Sequence, residues 1–170
     1  MSLHVLQIKN ALGEEMIEAW FDGCCEPKNP GGHAAFGVVL KVDGEVHLEH
    51  GGYVGSGAGI SNNVAEYAGV NCALKAILAL GDLSIETLQK IKIYGDSQLV
   101  VNQMNGIWKS RGGAYVPYMQ KAKELRSQIN SMCEVKFIWI PREKNERCDF
   151  LSKKVLKDKG IVFRIQPEEN

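Results

Sequence analysis

The sequence predicts a single α/β domain, and three observations carry that expectation. Two apolar runs, 17–21 and 91–94, have strand character, and each is followed closely by an acid, Asp22 or Asp96. Asp43-Gly44 separates two further strand-like runs and reads as a two-residue hairpin turn. Beyond Asn63 the pattern changes period, with Val64, Ala68, Asn71, Leu74, Ile77 and Leu78 largely apolar at helical spacing. With 170 residues, 45% of them hydrophobic, the chain can build one well-buried core and is short for two.

Taken in order, residues 1–16 lack a clear period and are expected to form an N-terminal arm or an extra edge strand. The domain proper is expected over 17–157, with a tail over 158–170. The run 23–33 (GCCEPKNPGGH) has turn chemistry. Strands are expected over 35–42 and 45–53, so that the first three strands form an antiparallel meander. The Gly-rich run 51–59 lacks the GK[ST] ending of a phosphate-binding loop and is expected to be an ordinary loop. The helix from Asn63 stops at Gly81 and carries Glu66 in its first turn, where the helix dipole favours an acid. A loop over 82–90 leads into the strand that Gly95 stops, and Ser97 is placed to cap a helix over 97–105. A basic link (107–114), a helix (115–131) and a last strand (134–140) follow, and Pro141 ends that strand. Asn145 is placed to cap a final helix through Cys148, Asp149, Leu151, Val155 and Leu156. Residues 161–165 have the composition of an edge strand.

Bulk properties remove several classes. A formal net charge of 0 means that any affinity for nucleic acid rests on local patches. No apolar run is long enough to cross a bilayer, and no signal-peptide pattern is present. Five Cys, an odd number without a CxxC pair, fit neither a disulfide framework nor a zinc knuckle, so a reducing, cytoplasmic setting is expected.

Asp22 and Asp96 each end a strand, while Glu66 and Asp149 lie near helix starts. If the two strands are neighbours, their acids stand about one strand spacing apart, roughly 5 Å. Four carboxylates at one edge would repel and raise one another's pKa. Oxygen-only ligands of this kind suit Mg²⁺ or Mn²⁺, and a pair of such ions suits attack by water on a phosphodiester. Taken singly, each acid fits a loop or cap role equally well.

Four segments carry a resemblance. Asp22-Gly23-Cys24-Cys25, Ser61-Asn62-Asn63-Val64-Ala65-Glu66, Tyr94-Gly95-Asp96-Ser97-Gln98 and Asn145-Glu146-Arg147-Cys148-Asp149 resemble the signature segments of type 1 ribonuclease H, in order and spacing, over residues 17–157. The resemblance implies a ribonuclease H-like fold: a mixed five-stranded sheet, first three strands antiparallel, flanked by helices. It also implies a monomeric endoribonuclease that hydrolyses the RNA strand of an RNA–DNA hybrid with two Mg²⁺, leaving 5′-phosphate and 3′-hydroxyl ends. Asp22, Glu66, Asp96 and Asp149 would be the catalytic, metal-binding carboxylates, Asp149 the more mobile. Gly23, Cys25, Asn62, Asn63 and Gln98 match the segments that meet RNA 2′-hydroxyls, Ser61 a position that holds a DNA phosphate, and Trp108 an aromatic against DNA sugars. On residue chemistry alone, Asn62 and Asn63 equally suit a helix start, Trp108 equally suits core or cover, and Cys24 and Cys25 suit small buried positions.

The chain departs from the pattern twice. The loop 141–147 has no His, since His4, His33, His47 and His50 all precede Glu66; activity is expected to survive this, with Arg142 or Glu143 as candidates for a supporting role. Residues 107–114 are too few for a basic hybrid-gripping helix, and Lys109, Arg111, Lys121, Lys123 and Arg126 are the candidate substitutes, which would make binding salt-sensitive. Two other readings remain at this level: a nuclease or strand-transferase of the same fold acting on DNA, and a non-catalytic hybrid-binding module.

Overall fold

A computed structural model describes residues 16–81 and 90–165. The expected N-terminal arm and the loop before the fourth strand lie, except for Met16 and Lys90, outside the described residues.

Five strands, β1 (Met16–Glu26), β2 (His33–Val42), β3 (Glu45–Ser56), β4 (Lys90–Gly95) and β5 (Val135–Trp139), form one sheet in the order β3-β2-β1-β4-β5. β1, β2 and β3 pair antiparallel, and β4 and β5 join parallel. The helices are α1 (Asn62–Ala79), α2 (Gln98–Met104), α3 (Val116–Asn130) and α4 (Glu146–Asp158), with a 3₁₀ turn at Arg142–Lys144. This is the mixed sheet anticipated above, with β1 at its centre.

Alternation along β1 divides the molecule into two layers. Ile17, Ala19 and Phe21 are buried with α1, α2 and α3 in the main core, where Tyr67, Leu74 and Ile77 contribute the bulk. Each such large side chain contributes about 1.5–3 kcal/mol by leaving water. Cys24 points into a smaller cluster with Ala35, Leu156 and Phe163 under α4. α4 lies close on β2 because Gly37 has no side chain: a Cβ there would stand 2.2 Å from the Cys148 carbonyl oxygen. A chain of polar contacts ties the three core helices together. The Tyr67 hydroxyl donates to Gln103 Oε1 at 2.7 Å, and Gln103 Nε2 donates to the Tyr115 hydroxyl at 3.1 Å.

The hairpin forms as expected, with φ of 49° at Asp43 and 82° at Gly44, the twist a two-residue turn between antiparallel strands needs. Several local expectations are corrected by pairing across the sheet. Residues 23–26 are strand, because their backbone pairs with 33–36 of β2. The third strand runs on through 54–56, past its expected end at 53 and despite Gly55 and Gly57, because β2 supplies the hydrogen bonds and a bulge absorbs the irregularity. Gly95 belongs to β4; its missing side chain leaves room for the Phe21 ring, 2.3 Å from where a Cβ would be. Residues 161–165 form no strand. Instead the Ile161 N–H donates to the Leu156 carbonyl at 3.0 Å and Phe163 plugs the cluster under α4.

Arg126 is also reassigned. Its guanidinium donates to the carbonyls of Met104 and Val135 and stacks over Phe137, so it ties α3 to α2 and β5 and is not free for a phosphate.

Candidate active site

The register that pairs Trp20 of β1 with Tyr94 of β4, continued two residues, sets Asp22 level with Asp96. Glu66 reaches the same place from α1. It is the fifth residue of that helix, beyond the first turn, which holds no acid, so the dipole argument made from the sequence does not account for it. Close approach of α1 to β1 does. A Cβ on Gly23 would lie 2.4 Å from the Glu66 backbone nitrogen, so only glycine lets helix and strand come this near. Carboxylate oxygens of Asp22, Glu66 and Asp96 all lie within 4.8 Å of one another.

Burial and mutual repulsion shape the electrostatics. The Asp22 carboxyl is pushed up to about 8, first by loss of water and then by the charges of Asp96 and Asp149, with the Gly23 backbone N–H opposing. Glu66 is raised well above the ordinary carboxylate range by burial, then by Asp22 and Asp96. Asn62 Nδ2 donates to Glu66 Oε1 at 3.4 Å, while Glu66 Oε2 is buried with no partner among the described residues. An orphaned carboxylate oxygen beside two more acids is a donor set that fits a hard divalent cation.

Asp149 sits at the edge of this group and is held differently. Arg142 Nη2 reaches its Oδ1 at 3.2 Å and Lys153 Nζ its Oδ2 at 2.7 Å, so both oxygens already have a cationic partner. Asn145, expected to cap α4, makes no side-chain cap bond. Its buried amide donates instead to the Phe21 carbonyl at 2.8 Å, beyond the point where β4 stops pairing with β1, and so fastens α4 beside Asp22. Glu143 is exposed and makes no such contact; Arg142 is the loop residue that faces the acids.

Around the acids lies a cleft of about 480 Å³, lined by Gly23, Cys24, Cys25, Asn62 and Ser97 as well as by Trp139, Arg142, Lys153 and Arg164. Gly23, Cys25 and Asn62, singled out in the sequence, therefore share it with the carboxylates. The backbone N–H of Asn62 bonds Asn29 Oδ1 at 2.9 Å, which braces this helix start against the loop after β1. Ser61 caps α1, accepting from the Val64 N–H at 3.3 Å, and Asn63 lies beside it, half-buried. Gln98 opens α2 on the surface. Trp108, 44% exposed, lines a separate groove of about 860 Å³ with Leu99, Gln103, Lys109 and Arg111. Burial pushes the Cys24 thiol up to about 12 and raises Cys25 and Cys148 too, in keeping with small buried positions.

Trp139, Lys153 and Arg164 escaped the sequence reading. Trp139 ends β5 and its indole N–H donates to the Asp96 carbonyl at 3.1 Å. Lys153 stands four residues after Asp149, a helical spacing that was available as a signal. Arg164 reaches the cleft only because the tail folds back, which no local pattern encodes.

Comparison with known proteins agrees with this geometry. Residues 20–155 match the family model described as reverse transcriptase-like. Ribonuclease HI of Halobacterium salinarum is 32% identical over 84% of this chain and 65% of its own length. Ribonuclease H of Syntrophus aciditrophicus is 30% identical over 82% of this chain and 80% of its own. A bifunctional protein of Mycobacterium tuberculosis is 34% identical over 54% of the chain, which spans only 23% of that relative. Among solved structures, the Halobacterium salinarum ribonuclease H1 superposes with a TM-score of 0.70, covering 84% of this chain and 98% of that one. LC11-RNase H1, crystallised with an RNA/DNA hybrid, gives 0.71 at 28% identity, covering 84% of this chain and 98% of that one. With the mixed sheet, the family model and these relatives in agreement, the chain belongs to the ribonuclease H type 1 family.

Proposed function

We propose that this protein is an endoribonuclease that hydrolyses the RNA strand of RNA–DNA hybrids, leaving 5′-phosphate and 3′-hydroxyl ends. The observation that carries the reading is the convergence of Asp22, Glu66 and Asp96 in an open cleft, with Asp149 beside them. A pure binding module gains nothing from a repulsive carboxylate cluster, and the cluster leaves Glu66 Oε2 without a partner.

Asp22, Glu66, Asp96 and Asp149 would hold two divalent cations, Mg²⁺ or Mn²⁺, which when bound polarise the scissile phosphate and ease deprotonation of the attacking water. The chain's own part is positioning. Asp22 and Asp96, fixed on adjacent central strands, define where the phosphate must sit. Water adds to phosphorus in line with the departing 3′ oxygen, so the cleaved bond leaves a 3′-hydroxyl on one product and a 5′-phosphate on the other. Asn62 donates to Glu66 and so orients it, and the Glu66 carboxylate is proposed to meet a ribose 2′-hydroxyl. Gly23, Cys25, Asn62, Asn63 and Gln98 are proposed to meet the RNA strand, chiefly through backbone at the cysteine. Ser61 and Trp108 are proposed to meet the DNA strand, the latter in its own groove with Lys109 and Arg111. A reader of 2′-hydroxyls on one strand and of deoxyribose on the other selects the hybrid over either duplex.

The catalytic unit spans 17–157 in this reading. The protein works as a monomer, and its five free thiols suit a reducing, cytoplasmic compartment. The test is incubation with Mg²⁺ and labelled RNA–DNA hybrid, double-stranded RNA, single-stranded RNA and DNA duplex. Cutting confined to the RNA of the hybrid, and lost in Asp96→Asn, is the expected result. Equal cutting of DNA, or binding without cutting, overturns the reading.

A further inference from the structure

The cleft that holds the carboxylates has a cationic wall supplied by the tail after α4. Phe163 is buried against Cys24, Ala35 and Leu156, and Ile161 packs on the same cluster, so the chain is anchored up to the residue before Arg164. Arg164 is then fixed by its own bonds. Its backbone N–H and its Nε both donate to Glu26 Oε2, at 3.1 and 3.3 Å, and Nη2 donates to the Cys25 carbonyl at 3.4 Å. The side chain is nevertheless 53% exposed and lines the cleft with Asp22, Glu66 and Asp96. A guanidinium carries five N–H donors. Two are used here, which leaves three with no protein partner among the described residues.

From this arrangement we infer that Arg164 is a positioning residue for the cleaved strand, donating to a phosphate that neighbours the scissile one. The inference rests on the function proposed above. Whichever strand reaches Asp22, Glu66 and Asp96 must lie in this cleft, and under that reading it is the RNA. Arg164 touches β1 at Cys25, three residues and hence about 10 Å from Asp22, so its phosphate is an adjacent linkage and not the reacting one. The pairing with Glu26 and the buried Phe163 hold the guanidinium in place before substrate arrives. A planar fork fixed in advance loses less freedom on meeting a phosphate than a mobile surface lysine does. It also supplies the carboxylate cleft with a cation that Arg126, committed to carbonyls within the fold, does not provide.

The experiment compares Asp96→Asn with Asp96→Asn/Arg164→Gln for hybrid binding between 50 and 200 mM salt, and wild type with Arg164→Gln and Arg164→Lys for cleavage. Expected for Arg164→Gln are binding weaker by about five- to tenfold, a salt slope smaller by about 0.9 for the one phosphate lost, a raised KM with kcat within twofold, and an unchanged melting temperature. Arg164→Lys recovers part of the KM. Hybrids with a single methylphosphonate linkage, scanned along each strand, locate the contact: at one RNA-strand linkage the loss caused by Arg164→Gln disappears. An unchanged salt slope, a kcat effect without a KM effect, or a lowered melting temperature as the sole consequence overturns the inference while leaving hybrid cleavage standing. A wild-type chain that neither binds nor cuts hybrid overturns both.

Discussion

Replacing Asp22 with Asn should stabilise the metal-free protein while abolishing its activity, and the gain should grow with pH. In the folded chain this carboxyl is raised from 3.8 to about 8, mainly because it is buried and secondarily because Asp96 and Asp149 are near. A raised folded pKa means that, between those two values, the folded state holds a proton that the unfolded state has released. Unfolding stability therefore falls as pH rises through that window, by up to about 1.4 kcal/mol per unit. The cost is absent below about pH 4 and fully developed above pH 8, reaching on the order of 4 kcal/mol at pH 7. A buried Asn pays back part of this, about 1–3 kcal/mol, where its amide lacks partners. The net gain is about 2 kcal/mol at pH 7, or ~4–8 °C in melting temperature for a domain of this size. Thermal unfolding of wild type and Asp22→Asn, with chelator, at pH 5 and pH 8 measures it. The variant's advantage should widen by about 3–4 kcal/mol across that range. An advantage that stays flat, or that shrinks toward pH 8, refutes the assignment of a strained, proton-holding Asp22.

Two further outcomes concern how the fold serves the site. Gly23→Ala forces β1 and α1 apart, because its Cβ would meet backbone at 2.4 and 2.7 Å; denaturant melts should show a loss of about 2–4 kcal/mol, and cleavage should fall with it because Glu66 is displaced from Asp22. Arg126→Met should cost stability by leaving the Met104 and Val135 carbonyls short of a donor, about 1–3 kcal/mol, yet should leave the salt slope of hybrid binding unchanged; a reduced slope would return Arg126 to the substrate surface.

What the sequence made legible follows a physical divide. Strand and helix periods, the Asp43-Gly44 turn and the Ser97 cap are local, and each is present in the structure. Residues 23–26 and 54–56 were misread because the glycines in and beside them have turn chemistry, whereas their strand state is imposed by β2 from outside. Arg126 and Arg164 show the same divide among cations. The sequence offered Arg126 as a substrate cation and Arg164 only as part of an edge strand, and tertiary contacts turn the first into an internal tie and bring the second to the cleft. Asn145 stands at the cap position of α4, as its spacing suggests, but the open carbonyl of Phe21 is a better partner for its side chain than its own helix.

Asp22, Glu66 and Asp149 are stabilised in two unlike ways, and the difference bears on how the proposed cations would bind. Asp22 and Glu66 are sealed from water between strand and helix, so their repulsion is relieved by keeping protons. Asp149 stands at the rim, where Arg142 and Lys153 can reach it, and its charge is matched by side chains instead. A divalent cation of the kind proposed above would displace protons from the first pair, so its affinity there would rise with pH. One engaging Asp149 would have to break ion pairs that salt also weakens, so that step would depend on ionic strength more than on pH. Under the proposed function the two steps would then separate by condition: the buried pair would set the pH threshold, and the rim acid, paired with Arg142 and Lys153, would set the ionic-strength dependence.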